Sequence, residues 1–352
     1  MPEVYLLILG DHLPDPRTGR LVSEGERLRA VIEQAVVAEE AGFTGVAVGE
    51  HHFIRYIVSA PELVLAAIAA RTSTLRLSTG VTLLAHRDPV RVAEELATLD
   101  VLSGGRAELI VARGISQETD AAFGIAPDDL RARFEEHLRL LLLLLEKPEV
   151  SWDGRYRGQL DAVTPTPRPV QVPRPTIWVG SGSEVSTDLA VELGLPLVLP
   201  STLRDPLTHL PLVERYRTRI RSDDARVGLP SHMFVAPTSA RARAHWRPHL
   251  ETYARFAEEW RGDGTGLDVD RLMEGAAVCG DPPEVAGRLN DLAARLGLDV
   301  HLVIVDVGGL AQCDVLDAIR LFGAEVIPRL ENGKTGPARR SPRRAGPGRA
   351  GG

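Results

Sequence analysis

Cysteine is nearly absent. Cys279 and Cys313 are the only two in 352 residues, too few and too far apart for a disulfide framework or a zinc site. Two reduced thiols in the core suit a reducing cytosol, so a cytoplasmic protein without a metal is expected. Long apolar runs are also missing. Residues 4–9 form a short one that stops at Gly10-Asp11 and has no basic segment before it, unlike a secretory signal. The longest elsewhere, residues 140–145, falls far below a membrane span. Aromatics make up only 5% of the chain. Ala, Leu and Val fill the interior instead, which suits parallel strands buried on both faces. Positive charge is scarce in the body. Of the 41 basic residues, the six in the last twenty positions (Lys334, Arg339, Arg340, Arg343, Arg344 and Arg349) meet no acid there. That leaves 35 against 48 acidic residues, a net of about −13, which argues against nucleic acid as a partner. Residues 331–352 read as a basic Pro/Gly/Arg-rich disordered tail.

What is present is an alternation of apolar, strand-like runs with amphipathic stretches. Strands are expected at residues 4–9, 44–48, 75–84, 107–112, 176–180, 195–199, 233–235 and 301–305. Helical spacing covers 24–41, 61–71, 89–102, 128–146, 184–194, 205–221, 238–262, 282–296 and 314–327. Residues 151–175, with Trp152, Tyr156 and many prolines, break the rhythm as an insertion before the fifth strand. Eight strand–helix pairs predict a TIM (β/α)8 barrel over residues 1–330. A doubly wound sheet is disfavoured, because Gly10-Asp11-His12 stands where a Gly-rich turn would follow the first strand.

In a barrel, chemistry collects where strands end. Gly49-Glu50-His51-His52-Phe53 follows the second strand. A His there acts as acid, base or hydrogen-bond donor, or is simply structural. Adjacent residues of an extended segment point opposite ways, which makes a metal pair poor. Ser78-Thr79-Gly80-Val81 lies late in the third strand. Its glycine either admits a flat ligand closely or marks a bulge. Arg113, in Ala112-Arg113-Gly114, suits a phosphate at the mouth or a surface ion pair. Gly180-Ser181-Gly182-Ser183-Glu184-Val185-Ser186 opens a helix, offering an anion cradle or an ordinary N-cap from Ser183.

Several of these stretches resemble the luciferase-like flavin monooxygenases. They are Glu50-His51-His52-Phe53, the run 71–81, Asp88-Pro89-Val90-Arg91-Val92-Ala93-Glu94-Glu95 continuing through 100–106 to Arg113-Gly114, and residues 190–196. The resemblance covers most of 4–200 and is thin over 205–330. It implies a barrel holding reduced FMN, or else a deazaflavin. It implies a non-prolyl cis peptide at Gly80-Val81 buttressing the flavin ring, and Arg113, Gly182, Ser183 and Ser186 around its phosphate. His51 would be the catalytic histidine. The reduced FMN would come from a separate flavin reductase, O2 would oxygenate a small organic substrate, and the chain would form a homodimer. The alternatives are a deazaflavin-dependent dehydrogenase or reductase of the same fold, and a catalytically silent flavin-binding partner subunit. Ala112 and Ser116 stand where bacterial luciferase has Cys and Tyr, so light emission is not implied.

Overall fold

The computed structural model describes residues 2–200, 203–261 and 266–331. The sequence-predicted tail lies outside the described residues from 332 onward. β1 (Glu3–Ile8) leads through α1 (Glu24–Glu40) to β2 (Gly45–Val48), and α2 (Pro61–Ala69) leads to β3 (Arg76–Leu83). α3 (Pro89–Ser103) precedes β4 (Ala107–Ala112), which is followed by α4 (Gln117–Ala122) and α5 (Leu130–Glu146). An antiparallel hairpin, β5 (Val150–Trp152) with β6 (Leu160–Val163), then interrupts the series. β7 (Thr176–Gly180), α6 (Glu184–Leu193), β8 (Leu197–Val198), α7 (Leu210–Arg219) and β9 (Val227–Val235) come next. α8 (Ser239–Arg261), α9 (Val269–Glu274), β10 (Val278–Gly280), α10 (Pro282–Leu296), β11 (Val300–Ile304) and α11 (Gln312–Leu321) complete the order.

β1, β2, β3, β4, β7, β8, β9 and β11 pair in that order, all parallel, and β11 returns to β1. The sheet is a closed eight-stranded barrel inside a ring of helices. The expected seventh strand, 233–235, is corrected. Barrel closure is made by the earlier part of β9, where Gly228–His232 pair with β11. Residues 233–235 instead pair with β10 beyond the barrel wall. Gly228, Pro230, Ser231 and His232 hide this strand from any reading by apolar runs. Pro230 is tolerated there because it lies two residues beyond Gly228, whose carbonyl accepts from Leu199 on the β8 side. β8 ends at Val198, so no ladder N–H is needed from that side of Pro230.

Local chemistry sets the helix ends. Ser23 and Glu26 form a reciprocal capping box on α1. Asp88 caps α3 ahead of Pro89, and Gly104 ends it at φ 70°, a left-handed position that a side chain would strain. The 151–175 insertion is tied down by two carboxylates. Glu136 accepts the N–H groups of Arg155, Tyr156 and Arg157. Asp100 accepts those of Val170 and Gln171.

Glu39, at the end of α1, holds the turn before β3. Its carboxylate accepts the N–H groups of Ser73, Thr74 and Leu75 at 2.9, 2.7 and 2.9 Å. Partial burial pushes its pKa up, but these donors prevail and keep it below the usual carboxylate range. Glu39→Ala leaves three donors without this acceptor and is expected to cost about 1–3 kcal/mol in urea unfolding. An unchanged midpoint would mean that water replaces the carboxylate at no cost.

The N-terminal end of the barrel is plugged. A Cβ on Gly45 would overlap the Tyr5 ring, so the absence of a side chain there lets Tyr5 turn inward. Tyr5 Oη donates to Glu108 at 3.0 Å, Trp178 Nε1 donates to the same oxygen at 3.3 Å, and Arg76 pairs with the other.

Candidate active site

A cavity of about 460 Å³ opens at the C-terminal end of the barrel, among the loops that follow β2, β3, β4 and β7. His51 forms part of its wall. The ring stacks on Tyr56 with centroids 3.9 Å apart and planes 14° apart. Nδ1 is buried without a hydrogen-bond partner among the described residues. Loss of hydration, with a smaller contribution from His52, pushes its pKa down to about 4. The imidazole is therefore neutral at pH 7.

His52 takes the opposite role. Its Nε2 lies 3.0 Å from the buried carboxylate of Glu50. Glu50 also accepts the Leu83 N–H at 3.1 Å and faces Arg87 at 3.8 Å. The loops after β2 and β3 are thus locked to each other beneath the cavity. Both histidines line the cavity, but His52 is tied to Glu50 and serves as a structural hydrogen-bonder.

The Gly80–Val81 peptide is cis, and the β3–β4 register shifts between Gly80 and Thr82. A Cβ on Gly80 would lie 2.6 Å from Leu7 Cδ1 and 3.0 Å from the Ala47 Cβ. The glycine is needed on packing grounds alone. The bulge reading of this segment holds.

Arg113 lines the cavity and is exposed. No ion-pair partner for it occurs among the described residues. Across the mouth, the β7–α6 loop brings hydroxyls together. Ser181 Oγ lies 2.7 Å from Ser186 Oγ and 2.9 Å from Thr187 Oγ1, and Ser183 Oγ lies 2.8 Å from Ser186 Oγ. Ser183 also caps α6 by accepting from the Ser186 N–H, so the N-cap reading holds. Glu184 pairs with Arg215 at 2.9 Å, away from this loop. Gly182, Ser183, Ser186, Arg113, His51, Gly80 and Val81 all line the one cavity.

Sequence reasoning missed three features. Arg131, on α5, is a second exposed cation on the cavity wall. His86, also on that wall, sets Nε2 2.7 Å from the buried Asp120, and its own side chain is almost fully buried. Tyr56 and Tyr253 bring their hydroxyls within 3.0 Å, joining the loop after β2 to α8. The His86–Asp120 pair spans 34 residues, a separation at which no local signal exists.

The sequence model described as luciferase-like monooxygenase matches residues 3–299. The chain belongs to this family. Among its curated relatives, limonene 1,2-monooxygenase of Rhodococcus erythropolis is 28% identical over 323 residues, covering 85% of this chain and 80% of that protein. The oxygenase component of a flavin-dependent trigonelline monooxygenase of Acinetobacter baylyi is 29% identical over 170 residues, 47% of this chain and 46% of that one. The crystal structure of the monooxygenase RslO1 from Streptomyces bottropensis is 25% identical with a TM-score of 0.82, covering 92% and 98% of the two chains. More distant folds, at 21% and 18% identity and TM-scores of 0.74, include an FMN complex of a diketocamphane monooxygenase and an F420-dependent alcohol dehydrogenase. These share the architecture alone. As a luciferase-like monooxygenase, the chain is a flavin-dependent oxidoreductase that incorporates oxygen. No described helix is long and apolar enough to cross a membrane.

Proposed function

We propose that this luciferase-like protein is the oxygenase component of a two-protein system. It takes reduced FMN from a separate flavin reductase and uses O2 to oxygenate a small organic substrate. One observation carries the reading: a single cavity holds two exposed cations, unpaired among the described residues, and a hydroxyl loop together with a neutral histidine. The donor set fits FMN. Arg113 and Arg131 supply charge for a phosphate, with Ser183, Ser186 and the N-terminal N–H groups of α6 facing it. Gly80 and Val81, on the wall of the same cavity, would face the flat ring. Bound reduced FMN supplies the electrons for O2 activation. The chain's own residues orient the ring, exclude water behind an apolar wall, and hold a proton at His51 Nε2.

The test is an anaerobic titration with reduced FMN and, separately, a deazaflavin, followed by air. Tight FMN binding with protein-dependent O2 uptake is expected. Binding of the deazaflavin alone, without O2 uptake, would move the protein to hydride transfer. The phosphate end is checked independently. Arg113→Ala is expected to weaken FMN binding about 10- to 100-fold, while riboflavin, which lacks the phosphate, binds both proteins alike in flavin-fluorescence quenching. An equal loss for both flavins would place Arg113 at the ring instead.

The cytoplasm is the proposed location, since both cysteines are free and Cys279 is buried. A homodimer is proposed as well. Exposed Leu63 on α2 and Leu102 on α3 are apolar surface that a second copy would cover. Light scattering reads the mass directly.

A further inference from the structure

Next to the part of the cavity wall formed by His52 and His86, Phe53 and Phe123 project into solvent, 60% and 45% exposed. Their ring centroids lie 6.1 Å apart. His52, on the cavity wall, meets the Phe123 ring edge-on at 5.0 Å and lies 5.9 Å from Phe53. His86, also on that wall, is 5.8 Å from Phe123. The two phenylalanines therefore form a lip continuous with the cavity that holds His51.

Phe53 is held at φ 62°. A bulky side chain in the left-handed region is strained, and such positions cluster at functional sites. Folding does not require the ring, because it is mostly in water. Phe123 closes α4 as its C-cap, which fixes its place at the mouth. The carboxylates beside the lip are already engaged, Glu50 by His52 and the Leu83 N–H, and Asp120 by His86. Both are nearly fully buried, so they offer little charge to an incoming molecule.

We propose that Phe53 and Phe123 bind the body of the substrate, and that this substrate is a neutral molecule with an aromatic or extended apolar part, whose reacting end reaches towards His51. The inference rests on the oxygenase reading for the identity of the substrate, although the lip itself does not depend on flavin. An exposed aromatic pair beside a cavity gains by covering its faces, and aromatic ligands match it in shape and polarity.

The test uses a neutral naphthyl ketone, prodan, as probe, with binding measured by equilibrium dialysis on FMN-saturated protein. Phe53→Ser and Phe123→Ser are each expected to weaken probe binding about tenfold, with FMN affinity unchanged. Phe123→Leu, which keeps apolar surface, is expected to retain most of the binding. An anionic counterpart, naphthoate, is expected to bind more weakly than the ketone. The proposal is overturned if the ketone fails to bind, if both serine variants bind it as the parent does, or if naphthoate binds more tightly. Loss of reductase-dependent turnover in the variants, with probe binding intact, would also overturn it, by making the lip a docking face for that protein. If FMN does not bind at all, the oxygenase reading fails, and dialysis with flavin-free protein still decides the lip.

Discussion

Turnover of His51→Ala is expected to fall by about 10²–10⁴-fold, the range of a lost general acid or base, while its affinity for FMN stays close to that of the parent. The reason lies in where the ring sits. It follows β2 on the cavity wall, with Nδ1 buried and unpartnered among the described residues, and is braced by Tyr56 at 3.9 Å. A neutral imidazole carries one donor and one acceptor nitrogen, so it serves either direction of proton transfer. With its pKa pushed down to about 4, activity that needs the neutral ring is expected to hold steady from pH 8 to about 5 and to fall as the pH approaches 4. His51→Gln keeps hydrogen-bonding capacity but cannot shuttle a proton, so its rate should resemble that of alanine. Single-turnover kinetics with pre-reduced FMN, alongside flavin fluorescence titration, separates the two steps. A rate loss matched by an equal loss of FMN affinity would make His51 a flavin ligand instead. An unchanged rate would remove it from the chemistry.

The barrel was legible because its strands are buried on both faces and read as apolar runs. The helices between them carry caps in plain view, such as Asp88-Pro89 and Ser183. Where a strand does not look apolar, legibility ends. β9 contains Gly228, Pro230, Ser231 and His232, and only its last three residues look like a strand. β10 is three residues long, too short for any period to register. At the site, Arg113 and the serine loop stood out because each lies directly at a strand end. Arg131 sits one residue into a helix and has no such marker. His86 looks like an ordinary loop histidine until the fold brings Asp120 to it. The direction of Glu184 was open in the sequence and is settled by Arg215, which lies 31 residues away and draws the carboxylate off the cavity. Pairwise electrostatics of this kind is a property of the closed barrel, not of any segment.

His301 gives the other large effect, on stability in acid. It lies on β11 beside Leu302, which lines the cavity; alternation along the strand turns His301 to the outer face, under the helices. The residue is 1% exposed, and neither ring nitrogen has a partner among the described residues. Burial pushes its pKa down to about 4, from an ordinary value near 6.5. Between those values the unfolded chain takes up a proton that the native ring refuses, so stability is lost as the pH falls through this window and is retained above it. By linkage, the full window is worth on the order of 3 kcal/mol, and at pH 5 roughly 2 kcal/mol. His301→Leu removes the titrating group and leaves apolar surface in an apolar site. It is expected to change stability little at pH 8 and to gain about 2 kcal/mol over the parent at pH 5, in urea unfolding at both pH values. The comparison between pH values matters more than either measurement alone, because any packing cost of leucine is common to both. His51 titrates in the same direction and remains in the variant, so acid sensitivity is reduced rather than abolished. If parent and variant lost stability in parallel between pH 8 and pH 5, His301 would have to be charged in the folded protein, with a partner for its proton beneath those helices.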